Sequence, residues 1–287
     1  MSSLKTIKVN HATALLARII GRILCSTINS FTFVATTGRS GTHTLERLFS
    51  TIPDAASFHE PHPSMNGIIL REFNKGNKKY VEREFILRKL PNIYWSAKMK
   101  KFYIETNHLF IKCFADIAFK YFENRLQVLH LHRNPVQVAL SYYLRGCIPG
   151  KENIKNGNLR GIDWLINPEA KENLIQISNI FHEAPFNHDF FKLIWYCYET
   201  EARLINFKKR HPEVPVYYFD TDNLNNLDAV KDLFSYFNFP ITDELSAMVG
   251  IQSDKSPVEA VVPKDINQSD LTEFSKLCIR NLNLIKN

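Results

Sequence analysis

The stretch Phe31–Phe49, FTFVATTGRSGTHTLERLF, decides how the chain folds. Phe31, Phe33 and Val34 open it as a short apolar strand. Thr36 to His43 follow as a small, polar turn punctuated by Gly38 and Gly41. Leu45, Leu48, Phe49 and Ile52 then recur at i, i+3, i+4 and i+7, the apolar face of a helix. A strand, a glycine-bearing turn and a helix N-terminus make an anion site. The turn's backbone N–H groups converge, and the helix end adds partial positive charge. The hydroxyls of Ser40, Thr42 and Thr44 add donors, and Arg39 adds a fixed cation with a planar fork.

The nearest general pattern is the nucleotide loop G-x-x-x-x-G-K-[ST]. The stretch departs from it, because Gly38 and Gly41 are too close together and no lysine precedes the hydroxyl residue. A P-loop-type small-molecule kinase would need that lysine and an acidic magnesium ligand at a strand end. It stands as the second reading. A bare Gly-x-x-Gly also suits a purely structural corner; Arg39, Ser40 and Thr42 make this one more specific.

The chain has 287 residues, enough for a substantial core in one large domain or one and a half. Hydrophobic residues make up 45% and charged residues 23%, as in ordinary globular proteins. A net charge of +7 and a pI near 9.1 point to an anionic partner: a nucleotide, an acidic lipid surface or nucleic acid. No basic run stands out, so nucleic acid is the weakest of these. The five cysteines are scattered, odd in number and never spaced C-x-x-C. That argues against a disulfide framework or a zinc site and for a reducing, cytoplasmic compartment.

Residues 1–30 carry a helical stripe of Leu15, Leu16, Ile19, Ile20, Ile23 and Leu24, with Arg18 and Arg22 off it. The run is too short and interrupted to span a membrane. The arginines also break any signal-peptide core. An N-terminal amphipathic helix packed on the domain by its stripe is the expectation. A peripheral membrane contact through residues 11–28 is the alternative.

Downstream, Ala55–His59 reads as a second strand, ending at Glu60-Pro61-His62-Pro63. Residues 76–90 read as helix, His108–Phe114 as a third strand and 116–122 as helix. Gln127–His132 is a fourth strand, apolar enough for a buried parallel position. Asn134 is placed to cap a helix that begins at Pro135. Residues 145–187 read as an irregular insert with a helix near 168–180, suited to a substrate-binding excursion. A helix over 188–210, a strand over Val214–Phe219, a helix over Ala229–Phe237 and a last helix near 270–284 complete the chain. The tail from about 250 is polar, with Pro257 and Pro263. The alternation predicts an α/β fold, a three-layer α-β-α sandwich around a parallel sheet of about 4–5 strands. Ligands of such sheets sit beyond the strands' carboxyl ends, where Gly38–Thr42, His59-Glu60 and Arg133 fall.

Thr37-Gly38-Arg39-Ser40-Gly41-Thr42-His43 resembles the 5′-phosphosulfate loop of sulfotransferases that use PAPS (3′-phosphoadenylyl sulfate). Leu131-His132-Arg133-Asn134-Pro135, continuing to Ser141, resembles their second signature, in which an Arg at a strand end and a Ser eight residues on hold the 3′-phosphate. The arginine in the loop is similar to the carbohydrate-type and bacterial branches. The resemblance covers about 31 to 145 and, weakly, the Trp195 helix and the strand and helix after it, but not the insert at 145–187 or the tail. It implies a P-loop NTPase-like fold for a domain over 31–287, PAPS as co-substrate, no metal, and sulfuryl transfer to a hydroxyl of a carbohydrate or glycolipid. It implies that Thr37 to His43, Arg133 and Ser141 bind the nucleotide and that Arg39 offsets charge on the leaving phosphate. His59-Glu60-Pro61 resembles the segment where carbohydrate-type relatives place a catalytic Glu. Glu60 is therefore the first candidate base, with His59 and His62 as rivals. His43 stands where relatives often carry Thr or Ser. A non-catalytic nucleotide- or membrane-binding protein of the same fold is the third reading.

Overall fold

β1 (Ser30–Ala35) is buried along its whole length, and its side chains alternate between two cores. Phe31, Phe33 and Ala35 enter one, and Val34 enters the other. A strand covered on both faces belongs inside a parallel sheet, and the computed structural model places it at the centre of one. The structure describes residues 11–152, 154–155, 158–251 and 262–286. The first ten residues of the expected N-terminal segment, and Pro257 of the polar tail, lie outside the described residues.

In chain order the elements are α1 (His11–Leu24), β1, α2 (Thr42–Phe49), β2 (Ala55–His59), α3 (Ile68–Asn74), α4 (Lys78–Glu84), α5 (Leu90–Ala97), β3 (Phe102–Thr106), α6 (Ala115–Phe122), β4 (Leu126–His132), α7 (Pro135–Tyr143), β5 (Ile154–Lys155), β6 (Asn158–Leu159), α8 (Arg160–Trp164), α9 (Asp189–Arg210), β7 (Val216–Asp220), α10 (Leu227–Tyr236), α11 (Asp243–Met248) and α12 (Gln268–Lys286). β1, β2, β3, β4 and β7 form one parallel sheet in the order β2-β3-β1-β4-β7. Phe31 stands opposite Tyr103 on one side and Leu126 on the other. β5 and β6 form a small antiparallel ribbon.

The expected layers are present. α2, α10 and α11 cover the face carrying Val34, Ile104, Leu129 and Phe219. α5 and α6 cover the face carrying Phe31, Phe33, Tyr103 and Val128. A third core joins α7, α9 and α12 around Trp195 and Phe274.

The structure corrects three expectations. The third strand is not His108–Phe114 but β3, six residues earlier; Phe110–Phe114 is a wide, π-type helical turn leading into α6. A short unbroken apolar run fits a buried strand or a buried helical turn equally well by pattern. Here the Asn107 side chain accepts from the Leu109 N–H at 2.9 Å, which starts the turn.

The helix expected near 168–180 is absent: only a 3₁₀ turn over Ser178–His182 forms there. The N–H groups of Leu174 and Ile175 donate instead to the Glu199 carboxylate at 3.0 and 2.9 Å, and Trp195 donates to the Ile175 carbonyl at 2.8 Å. Side chains of α9 satisfy that backbone, so it needs no helix.

α1 is packed on the domain through Ala17 and Leu24, but not by the rest of its stripe. Leu15, Leu16, Ile19, Ile20 and Ile23 face outward, while Gly21 and Cys25 are buried.

Candidate active site

Parallel strands end on the same side, so the residues that follow them share one rim. The loop after β1, Glu60 after β2, His108 after β3, Arg133 after β4 and Thr221 after β7 meet there.

The loop is held by unusual backbone and by donors behind it. Gly38, Arg39 and Gly41 have φ of 80°, 57° and 78°, a region that glycine enters without strain. Gly38 is doubly required, because a Cβ there would lie 2.5 Å from the Tyr142 hydroxyl. Behind it, the Thr37 carbonyl accepts from Lys112 Nζ at 3.3 Å, from the Tyr142 hydroxyl at 2.9 Å and from the Tyr196 hydroxyl. The Thr36 and Ser40 hydroxyls bond to each other. Thr221 Oγ1 lies 3.0 Å from the Ser40 carbonyl and 2.7 Å from the His132 carbonyl, tying the loop to the ends of β4 and β7. α2 starts after Gly41 with no side-chain cap. Its first-turn N–H groups therefore have no intrahelical acceptor, and with Thr42 they suit an anionic ligand.

The second signature reaches the same place. Asn134 caps α7, accepting from the N–H groups of Val136 and Gln137. This orients the helix so that Ser141 Oγ accepts from Arg39 Nε at 3.0 Å. Arg133 donates to the Arg39 carbonyl at 2.7 Å and to Gln137 at 3.1 Å. Two segments about a hundred residues apart thus share a guanidinium-rich rim.

Glu60 closes the other side. It has φ 45° and is held in place by its neighbour, since buried Lys89 donates to the Pro61 carbonyl at 3.0 Å and pairs with buried Glu105 at 2.7 Å. Glu60 Oε1 lies 3.4 Å from His108 Nε2 and 3.9 Å from His59 Nε2. Burial lifts its carboxyl to about 7; Lys112 pulls it down less than burial raises it, and Glu105 adds to the rise. His59 lies against His43 with ring centres 3.7 Å apart and the planes tilted by 44°, and it bonds Thr106 Oγ1 at 3.0 Å.

Behind Glu60, burial, then the charges of Lys112, His59 and Arg39, hold the fully enclosed His108 well below the usual histidine value. It is therefore neutral. Burial likewise holds Lys112 well below the ordinary lysine range, with Glu60 opposing. Lys112 reaches His108 Nδ1, the Thr37 carbonyl and the Trp164 carbonyl. In its ammonium form it donates to Nδ1, which leaves the imidazole proton on Nε2, towards Glu60. Trp164 stacks on the His108 ring at 5.6 Å.

The structure brings Thr37, Gly38, Arg39, Ser40, Gly41, Thr42, His43, His59, Glu60, Arg133 and Ser141 to this one rim. The sequence reading missed His108, Lys112, Tyr142, Trp164, Tyr196 and Thr221. His108 was hidden by the misplaced third strand; once Phe102–Thr106 is taken as strand, Asn107-His108 is the polar strand end. Tyr142 and Tyr196 sit in helical apolar stripes and have no local signal.

The chain is an α/β protein with a parallel sheet and an arginine-bearing glycine loop after its central strand. Residues 30–160 match the family model described as "Sulfotransferase domain". The reaction class of that domain is sulfuryl transfer. Two solved structures are similar to this chain. "Sulfotransferase from Alicyclobacillus acidocaldarius" shares 14% identity, with 89% of this chain and 94% of that one covered and a TM-score of 0.48. "Sulfotransferase Domain from the Curacin Biosynthetic Pathway" shares 13%, with 75% and 76% covered and a TM-score of 0.46. No curated protein matches the chain.

Proposed function

We propose that the protein transfers the sulfuryl group of PAPS to a hydroxyl of an acceptor, a carbohydrate or lipid-linked glycan being the acceptor class that the Arg-type loop and the His-Glu-Pro segment favour. The observation that carries this is the convergence of Arg39, Ser141 and Arg133 around one rim with Glu60 beside it. The donor set suits a nucleotide with two phosphate groups: loop N–H groups and Arg39 for the 5′-phosphosulfate, Arg133 and Ser141 for the 3′-phosphate.

In the reaction the acceptor oxygen forms a bond to sulfur, and the bond from sulfur to the bridging oxygen breaks. Arg39 offsets the negative charge that grows on the leaving phosphate. Glu60 takes the acceptor's proton, and its raised carboxyl value near 7 makes it a fitting base at neutral pH. Neutral His108 lies against Glu60 and fixes which way the carboxylate faces. Most of the acceleration comes from holding the reactants in line.

Thermal melting with PAP, the desulfated product, tests the reading. PAP raises the melting temperature without magnesium. In Arg133→Ala its affinity falls by about tenfold or more, the scale of losing one charged contact. Arg39→Ala loses turnover of labelled PAPS with a smaller loss of PAP affinity. Stabilisation by ATP with magnesium in place of PAP would turn the assignment towards a kinase, and unchanged PAP affinity in Arg133→Ala would remove the 3′-phosphate role.

A further inference from the structure

α1 carries five of its large apolar residues on the side away from the protein, while Ala17 and Leu24 pack inward. Its inner side is small: a Cβ on Gly21 would meet Tyr94 Cζ at 2.2 Å, so only glycine allows α1 to approach α5 this closely. Leu15, Leu16, Ile19, Ile20 and Ile23 are between 41% and 69% exposed. At about 100° per residue they cover an arc of roughly 140° with no polar side chain in it. Amphipathic helices of soluble domains turn such an arc inward; this one needs a cover from outside.

What lies beside the arc says which cover fits. On the same geometry, Arg18 and Arg22 fall at one border, between the stripe and the packed side. Together with Ser26, Asn124 and Arg125 they line a cavity of about 440 Å³, with Glu123 also in its wall. Arg22 is 3.8 Å from Glu123, both well exposed. Arg125 donates to the Cys25 carbonyl at 2.7 Å. Arg18 lies over the Tyr121 ring at 5.5 Å, yet its Nε is buried and has no hydrogen-bond partner among the described residues. Three guanidinium groups and one carboxylate make a cavity suited to an anion.

The helix, HATALLARIIGRIL, has two arginines and no acidic residue. A second copy laid stripe against stripe would bring like charges to the border. An acidic bilayer offers an apolar boundary and anionic headgroups side by side, which matches both features. Among the described residues no helix is long and apolar enough to cross a membrane, so α1 would lie in the interface plane.

We propose that α1 docks the protein onto an acidic membrane surface. The Leu15–Ile23 stripe enters the acyl boundary, and the cavity of Arg18, Arg22 and Arg125 receives a lipid phosphate. The site is separate from the sulfuryl-transfer rim and does not depend on that reading.

Flotation of the full chain with vesicles tests it. The protein floats with phosphatidylcholine–phosphatidylglycerol vesicles and stays behind with phosphatidylcholine alone. The triple variant Leu16→Gln/Ile19→Gln/Ile23→Gln changes only exposed positions, keeps the wild-type melting temperature and loses flotation. Arg18→Gln and Arg22→Gln each weaken binding about fivefold, the equivalent of roughly 1 kcal/mol per basic residue at such a surface. The proposal is overturned if the wild type does not float with acidic vesicles, or if the triple variant floats as well as the wild type. It is also overturned if the wild type is a dimer in solution that the triple variant dissolves, because the stripe is then an interface between copies. Unchanged binding in both arginine variants removes the headgroup cavity.

Discussion

In the proposed reaction Glu60 is the base, and its environment sets two opposite pH responses. Its carboxyl is raised to about 7 from an ordinary value near 4.5, chiefly by burial. As a base it must be ionised, so the pH–rate profile of kcat/KM rises through about 7 and levels above it. Glu60→Gln lowers kcat by about 10²-fold or more, removes that rising limb and leaves PAP affinity nearly intact; a variant that keeps wild-type turnover moves the base elsewhere. Stability runs the other way. The native state holds this proton up to about pH 7, whereas the unfolded chain releases it near 4.5, so stability falls as pH rises between the two. The loss is up to about 3 kcal/mol. Glu60→Gln therefore raises the melting temperature at pH 8 and changes it little at pH 4, a result independent of any substrate. The carboxylate's position next to strand β2 was legible in the sequence. Its raised value was not, because the packing that buries it and the Glu105 charge that adds to the rise come from other segments.

Among the elements, α9 organises the region that the sequence presents as an unstructured insert. Trp195, Glu199 and Arg203 recur at i, i+4 and i+8 on one buried face. Glu199 accepts from Leu174 and Ile175 and pairs with Arg203 at 2.7 Å. Arg203 also donates to Asn173 and to the Lys112 carbonyl. The same helix supplies Tyr196, which holds the Thr37 carbonyl behind the loop. α9 therefore joins the insert and the anion loop into one rigid unit. Glu199→Ala leaves Arg203 buried without its counter-charge and costs about 3–5 kcal/mol. Urea titration reads this as a lower midpoint with an unchanged slope. The helix itself was plain in the sequence from its apolar period. Its polar row was invisible there, since a Glu and an Arg four apart also describe an exposed helix face.

At the scale of the whole molecule all five cysteines are buried as thiols, none in a disulfide. Burial lifts the thiols of Cys25 and Cys113 to about 11 and about 12, and those of Cys197 and Cys278 higher still. The native protein therefore reacts slowly with thiol reagents, its thiols become reactive together on unfolding, and reductant leaves the melting temperature unchanged. Fast labelling of the folded protein would contradict this packing. The chain order by itself determined the alternation of strand and helix, the covered position of β1 and the loop at its end, because these depend on neighbours a few residues apart. It also placed Arg133 at a strand end, whereas Ser141 was singled out by the family resemblance of the segment around it. Folding alone decided that Phe110–Phe114 coils, that residues 168–177 stay irregular and that α1 shows its aliphatic side outward. The reason is the same in each case: an apolar or polar period states that a surface must be satisfied, and only the packed neighbours state by what.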